Sequence, residues 1–188
     1  MPQIYETVIT TVDVDGNPHV APMGVRREGR EIVLAPFRPS VTLGNILATR
    51  CAVLNIVTDV RVFAGCVTGR KGWPTEAVEH VNGVRLEAAL GHSELTLERV
   101  EENAQRPVLH MTRVFDATHA DFPGYNRAQG AVIEGAVLVS RLDLLPPERV
   151  DAEMAYLQIA IDRTAGPAEI EAWEWLIEAV MQHRLGAA

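Results

Sequence analysis

The sequence of 188 residues predicts an α+β protein, in which a small antiparallel β-barrel is followed by a helical appendage. Residues 1–115 divide into short segments rich in β-branched residues, separated by turn signals such as Asp15-Gly16. From residue 126 onward, apolar residues instead recur at helical spacing. The chain is 47% hydrophobic and 22% charged, which is enough apolar material to fill a core.

Six segments have the alternating or continuous apolar character of β-strands. The first three are joined by turns at Asp15-Gly16 and around Glu28-Gly29, so they predict an antiparallel meander. Six strands are enough to close a small barrel. The predicted strands are Tyr5–Val14, Pro18–Arg26, Ile32–Phe37, Cys51–Thr58, Val84–Leu97 and Val108–Phe115.

Three connections between these strands are informative. Val60–Cys66 is predicted to be a short helical piece, and Glu98–Gln105 a charged connection. Gly69–Gly83 is polar, contains glycine and proline, and is predicted to be a loop covering a pocket. Its Trp73 has two interpretations, stacking on a ligand or packing on its own loop.

The stretch Ile32–Arg50 is the one around which the chain is organised. A short apolar strand ends at Pro36 and Pro39, and a helix is predicted over Ser40–Thr49 with Ser40 as its N-cap. Unpaired N–H groups at a helix start, two hydroxyls and the guanidinium of Arg38 can hold a phosphate. The alternative is an ordinary strand–loop–helix connection that is merely capped by serine.

Three helices are predicted after the barrel, over Arg127–Leu142, Glu148–Thr164 and Ala168–Arg184. The predicted domains are therefore a barrel over residues 1–125 and a helical C-terminal subdomain over residues 126–188. The helical stripes are interpreted as core rather than as a partner surface.

Charge and composition exclude several classes of protein. The formal net charge of −8 disfavours non-specific binding to nucleic acid or to an anionic membrane surface. Apolar runs are too short for a membrane span, and the N-terminus lacks the features of a signal peptide. Cys51 and Cys66 lie among apolar residues, which predicts buried thiols and a cytoplasmic location.

Catalytic motifs are scarce. The six histidines have no metal-ligand spacing, so no metal site is predicted and each histidine is interpreted as structural or exposed. Serine-hydrolase, P-loop and Rossmann signatures are missing, and no general acid–base pair can be named from the sequence. A barrel with a phosphate seat and few catalytic side chains is typical of a protein whose cofactor performs the chemistry, such as a flavin.

Four segments carry a family resemblance: PHVAPMGV, LAPFRPSVTLGNI, LNIVTDVRVF and YNRAQGAVIEGAVLVSRL. In this order they resemble the domain-of-unknown-function 447 family. That family belongs to the FMN-binding split-barrel superfamily, with the flavin reductases and pyridoxamine-phosphate oxidase-like proteins. The resemblance spans nearly the whole chain and implies an antiparallel split β-barrel, bound FMN and a homodimer with the flavin near the subunit interface.

The resemblance also implies where FMN would bind. Arg38, Ser40 and Thr42 would hold its phosphate, whereas Met23, Gly24 and Val25 on a strand would line the isoalloxazine ring. Related proteins often place a lysine in the first helical turn, which here reads Val41–Gly44, so Arg38 is left as the main positive charge. Three further candidates for cofactor binding are Asn45, Asn55 and Thr58.

Three functions remain open at this point. The first is an FMN-dependent oxidoreductase acting by hydride transfer at the flavin, which the resemblance associates with tetrahydromethanopterin-linked one-carbon metabolism. The second is a non-catalytic flavin carrier, and the third is a structural dimeric barrel without cofactor. The residues themselves identify neither the substrate nor the electron donor.

Overall fold

The computed structural model describes residues 3–186, so the extreme ends of the two predicted domains lie outside the described residues. The secondary structure consists of eight strands and five helices within that range. The strands are β1 (Tyr5–Val12), β2 (Pro18–Glu28), β3 (Glu31–Leu34), β4 (Cys51–Ile56), β5 (Thr75–Ala77), β6 (Val84–Leu86), β7 (Gly91–Glu101) and β8 (Val108–Thr118). The helices are α1 (Val41–Thr49), α2 (Arg61–Val67), α3 (Arg127–Val139), α4 (Pro147–Thr164) and α5 (Pro167–Gly186).

Six antiparallel strands form a closed barrel in the order β1-β2-β3-β8-β7-β4, which confirms the predicted fold class. The β1–β2 hairpin turns at Asp13, whose carboxylate accepts hydrogen bonds from the backbone N–H groups of Asp15 and Asn17. Gly16 has a φ of 85°, a conformation that glycine adopts without steric cost. The barrel core also receives Leu43 and Ile46 from α1.

The chain divides into two compact units. The barrel unit comprises residues up to 57 together with 73–122, and the helical unit comprises 58–72 together with the chain from 123 onward. Residues 58–72, including α2, therefore cluster with the C-terminal helices, whereas the predicted division placed them in the barrel domain. The physical reason is that α2 packs on α3 and α5.

Three predicted segments between residues 69 and 105 differ from the structure. The single strand predicted over Val84–Leu97 is interrupted, because residues 87–90 form a turn between β6 and β7. The predicted loop Gly69–Gly83 contains β5, which pairs with β6 in a separate two-stranded sheet. The predicted connection Glu98–Gln105 is strand as far as Glu101, because β7 continues its pairing with β8.

Residues 80–86, which we call the covering segment, lie over the outer face of β1, β4 and β7. Polar side chains on these strands bond its backbone. Thr10 donates to the carbonyl of Val84, and the Asn55 carbonyl accepts from the N–H of Leu86 at 2.7 Å. Because buried backbone groups must be paired, these side chains fix the segment in place.

Candidate functional site

The connection between β3 and α1 is held rigidly by the loop between β7 and β8. The backbone N–H of Arg38 donates to the carbonyl of Gln105 at 2.8 Å. The guanidinium of Arg106 donates to the carbonyl of Ala35 and lies over the ring of Phe37, 4.4 Å from its centroid. Arg38 therefore projects from a backbone whose position is fixed on both sides.

Ser40 is the N-cap of α1, as predicted, and its hydroxyl accepts a hydrogen bond from the N–H of Leu43 at 3.3 Å. The first turn of α1 contains no acidic residue. The start of this nine-residue helix therefore combines free N–H groups with a positive helix dipole, both of which favour an anion.

The structure brings Arg38, Ser40 and Thr42 together at the start of α1, although their side chains differ in accessibility. The Arg38 guanidinium is exposed and lies 3.1 Å from the carboxylate of Glu102. Exposed pairs of this kind contribute little stability, so an incoming phosphate can compete for the guanidinium. Thr42 is buried beneath the first turn, whereas Ser40 is half-buried.

Met23, Gly24 and Val25 lie on β2, directly opposite residues 5–7 of β1. Over residues 21–25, β2 has no second strand partner among the described residues, because its pairing with β3 covers only Arg26–Glu28. The side chain of Val25 is fully buried in the core, so only its backbone could face a ligand. At Gly24 a Cβ atom would come within 2.8 Å of the Ile4 side chain.

The three further candidates are not gathered at the helix start. The Asn45 amide donates to the hydroxyl of Thr11 at 3.0 Å, inside the barrel unit. Asn55 is fully buried, and its amide is bonded to Val8, Thr10, Val53 and Leu86. Thr58 belongs to the helical unit. The Asn45 and Asn55 side chains are therefore engaged with the protein itself.

A second polar constellation, which sequence reasoning missed, lies on the outer face of β7. The Glu94 side chain is 1% exposed, and it accepts hydrogen bonds from the backbone N–H groups of His80 and Val81 at 2.7 and 2.8 Å. Its other oxygen lies 3.1 Å from Nδ1 of His80 and 3.6 Å from Nε2 of His92. Nδ1 of His92 in turn lies 2.8 Å from Nε2 of His119.

Electrostatics sets the charge states of this constellation. Burial alone would raise the pKa of the Glu94 carboxyl, but the hydrogen bonds from His80 and from the N–H of Val81 outweigh it and lower that pKa. Burial lowers the pKa of His119, and the charges of Arg85 and His92 add to this effect. Glu94 is therefore an anion, and His119 is held towards its neutral form.

The only sequence signal for this constellation is the spacing of His92 and Glu94. Two residues apart on a strand, they share one face of the sheet. His80 and His119 come close to His92 and Glu94 only when the barrel is folded, so the sequence alone does not place them there.

The helical unit contains an open cleft of about 400 Å³ beside α5. Its one arginine, Arg70, lies over the indole ring of Trp175 at 4.3 Å from the centroid and pairs with Glu178 at 3.3 Å. The guanidinium charge is thus already compensated within the cleft. No group of residues in the described range 3–186 is arranged to hold a metal ion, and no helix there is long and apolar enough to cross a membrane.

Solved structures define the class to which this fold belongs. A Shewanella frigidimarina protein described as a flavin reductase with a split-barrel domain matches with a TM-score of 0.55 and 14% identity, over 64% of this chain and 68% of its own. A 2-nitrobenzoate 2-nitroreductase from Pseudomonas fluorescens matches with a TM-score of 0.53 and 18% identity, over 63% and 66%. The barrel unit accordingly has the split-barrel fold.

Family models identify the chain more closely. A protein of unknown function (DUF447) N-terminal domain matches residues 5–120, and the corresponding C-terminal model matches residues 126–178. The chain belongs to the DUF447 family. The crystal structure of an FMN-bound protein of this family from Methanosarcina mazei matches with a TM-score of 0.83 and 22% identity, over 95% of this chain and 96% of its own. No curated protein matches the sequence.

Proposed function

We propose that this protein binds FMN and acts as a flavin-dependent oxidoreductase. The observation that carries the proposal is the FMN-bound Methanosarcina mazei protein, which belongs to the same family and shares the fold over nearly the full length of both chains. The helix start at Ser40 adds a local reason, because it presents N–H groups, a hydroxyl and a guanidinium to an anion.

The residues at the helix start bind and orient the cofactor in this proposal. Arg38 and the first N–H groups of α1 hold the phosphate, and β2 at Met23 and Gly24, which pairs with a strand on one side only, lines the ring. When bound, FMN supplies a ring that accepts or delivers a hydride. We further propose tetrahydromethanopterin-linked one-carbon metabolism as the setting and the cytoplasm as the location, and the family resemblance supports the metabolic setting.

A flavin carrier is the second candidate function. It fits the scarcity of acid–base side chains at the helix start, where Arg38, Ser40 and Thr42 supply only a guanidinium and two hydroxyls. Anaerobic addition of NADH or NADPH to the FMN-loaded protein distinguishes the two. Bleaching of the flavin absorption supports the oxidoreductase, whereas an unchanged spectrum with both donors favours the carrier.

We expect Arg38→Ala to weaken FMN binding by roughly ten- to a hundred-fold, because a charge-assisted contact contributes about 1.5–3 kcal/mol. Riboflavin has no phosphate, so its binding should hardly change. The measurement is a fluorescence titration of parent and variant with FMN and with riboflavin. If the variant binds FMN as tightly as the parent, the phosphate site lies elsewhere.

Ser40→Ala is the matched comparison for this experiment. It removes the helix cap as well as a ligand contact, so the apoprotein itself should lose about 0.5–2 kcal/mol of stability. Arg38→Ala should leave apoprotein stability nearly unchanged, because its pair with Glu102 is exposed. A stability loss for Ser40→Ala with no change in FMN affinity for either variant would leave Ser40 as a cap alone.

We also propose that the protein is a homodimer. Residues 21–25 of β2 pair with β1 on one side and have no strand on the other side among the described residues, and proteins tend to cover a sheet edge of this kind. Sedimentation equilibrium at micromolar concentration should give twice the mass of 20.6 kDa. A monomer that retains bound flavin under these conditions would contradict the proposal.

A further inference from the structure

His80, Glu94, His92 and His119 form a chain of neighbouring proton-exchanging groups in the barrel unit. The chain begins at His80, whose side chain is 44% exposed and whose Nδ1 lies 3.1 Å from Oε1 of Glu94. The same carboxylate oxygen faces Nε2 of His92, which is buried. The chain ends at His119, which is exposed to solvent. Two surface positions are thus connected through two buried groups.

The contact between His92 and His119 has the geometry of a hydrogen bond between imidazoles. The two ring planes differ by only 2°, and the ring centroids are 5.0 Å apart while the facing nitrogens are 2.8 Å apart. The facing nitrogens therefore lie between the two rings, which meet edge to edge in nearly one plane. An N–H···N bond in this plane lets one ring pass a proton to the other.

Nε2 of His92 is the one interruption in the chain. This nitrogen is buried and has no hydrogen-bond partner, and its distance of 3.6 Å from Glu94 is longer than a hydrogen bond. A bare nitrogen facing a carboxylate would keep this distance, because both atoms are acceptors. A proton on either atom converts the contact into a hydrogen bond. The contact between Glu94 and His92 can therefore accept a proton that moves along the chain.

Anchoring of the covering segment does not explain this arrangement. Oε2 of Glu94 alone accepts the two backbone N–H groups that Glu94 binds, those of His80 and Val81. Oε1 is left for the two imidazoles, and His119 takes no part in the anchoring. The His80 ring is held against Phe115 in parallel stacking, with the centroids 4.1 Å apart, which fixes the direction of its Nε2.

We propose that His80 is a general acid–base residue, oriented by Glu94 and connected to solvent through His92 and His119. The Nδ1–H of His80 donates to Glu94, which leaves Nε2 to take a proton from a ligand, as in carboxylate–histidine pairs of known enzymes. Nε2 makes no hydrogen bond within the described part of the chain. The ligand is a small molecule that presents an O–H or N–H group in the plane of the imidazole.

The proton balance of the relay closes. A proton taken up at Nε2 of His80 releases the one on Nδ1 to Oε1 of Glu94, which passes it to the bare Nε2 of His92. His92 then gives its Nδ1 proton to Nε2 of His119, which releases its own Nδ1 proton to water. Each group gains one proton and loses one, and the anionic Glu94 holds its proton only in passage.

Other charged groups face this chain and enter its titration. Arg85 and Glu76, from the β5–β6 sheet, act on His119. Asp116 on β8 accepts from Ser93, next to Glu94 in sequence, and lies 3.8 Å from Arg113. None of these charged groups is changed in the variants used below, so their electrostatic effect on the histidines is the same in the parent and in each variant.

The test is ¹⁵N NMR of the histidine side chains in the full-length protein. We expect neutral His80 to carry its proton on Nδ1. Glu94→Gln can keep its carbonyl oxygen on the two backbone N–H groups, but its NH₂ group then donates to Nδ1 of His80. His80 should therefore switch to the Nε2–H form in this variant. A proton on Nε2 of neutral His80 in the parent would overturn the proposal.

A second variant, His119→Asn, tests the relay itself. His119 does not contact His80, and the contacts between them run through His92 and Glu94. We expect the ¹⁵N signals of the His80 ring to change in His119→Asn and to stay unchanged in the control His183→Gln, which lies in the helical unit. Unchanged His80 ring signals in His119→Asn would overturn the relay. Neither measurement requires flavin, so this result is independent of the FMN titration.

Discussion

Replacement of Glu94 by alanine should lower the free energy of unfolding by about 3 kcal/mol, because buried donors are left without their charged acceptor. The lost carboxylate accepts the backbone N–H groups of His80 and Val81 and the imidazole of His80. The alanine side chain has no oxygen to accept these hydrogen bonds, so the donors of the covering segment would stay buried without a partner. The measurement is a urea titration of the parent and the variant.

Hydrogen exchange gives this prediction a local readout. The amides of His80 and Val81 should lose protection in Glu94→Ala, whereas the amides of β1 and β2 should keep it. Glu98→Ala is the control on the same strand, because Glu98 is exposed and its removal should change stability by less than about 0.5 kcal/mol. Equal stability of the Glu94 and Glu98 variants would show that the covering segment is held by its other anchors.

The same carboxylate predicts a pH dependence of stability. The pKa of Glu94 is lowered in the folded protein, so its stabilising contribution is complete above the pKa of an ordinary glutamate, about 4.3. It is lost as the pH falls through the lower folded value, where the carboxyl is protonated. Glu94→Gln carries no titrating group, so its stability should fall less than that of the parent below about pH 4.

The barrel could be predicted from sequence because its strands are local patterns. The β-branched residues of Tyr5–Val12 and the turn at Asp15-Gly16 act over a few residues, and both the strand and the turn appear in the structure, although Thr7–Val12 are all buried rather than alternating. The interruption between β6 and β7 could not be predicted, because it depends on pairing partners distant in sequence. After β6 the chain turns, and the N–H of Leu90 donates to the carbonyl of Ile56 on β4 at 2.8 Å.

The two candidate sites differ in how much of each the sequence reveals. The helix start at Ser40 is contiguous, so cap residues and prolines predicted it correctly. The hydrogen bonds of Asn55 could not be predicted in this way. Its side-chain amide bonds Val8 on β1 and Leu86, and these partners come together only in the closed barrel. The histidine chain is likewise invisible in sequence, because its members come from four positions between residues 80 and 119.

In the helical unit, Gly135→Val should lower the free energy of unfolding by about 3 kcal/mol, because it overpacks a closed helix contact. Gly135 lies on α3 where α5 approaches closely. A Cβ atom there would meet the Trp173 ring at 2.8 Å and the Leu176 side chain at 3.0 Å. Both side chains are buried, so neither can rotate into solvent. A urea titration followed by tryptophan fluorescence measures the effect.

The Trp173 ring cannot yield without a further loss. Its Nε1–H donates to the side-chain oxygen of Gln158 on α4 at 2.7 Å, so a ring displaced by valine gives up a partly buried hydrogen bond. Gly130→Val is the matched control on the same helix, because a Cβ atom there meets nothing within 4 Å. Valine and glycine differ only slightly in helix propensity, so this control should stay within about 0.5 kcal/mol of the parent. Equal stability of the Gly135 and Gly130 variants would contradict the prediction. It would mean that α3 and α5 can move apart at little cost in free energy, so that their packing does not stabilise the helical unit.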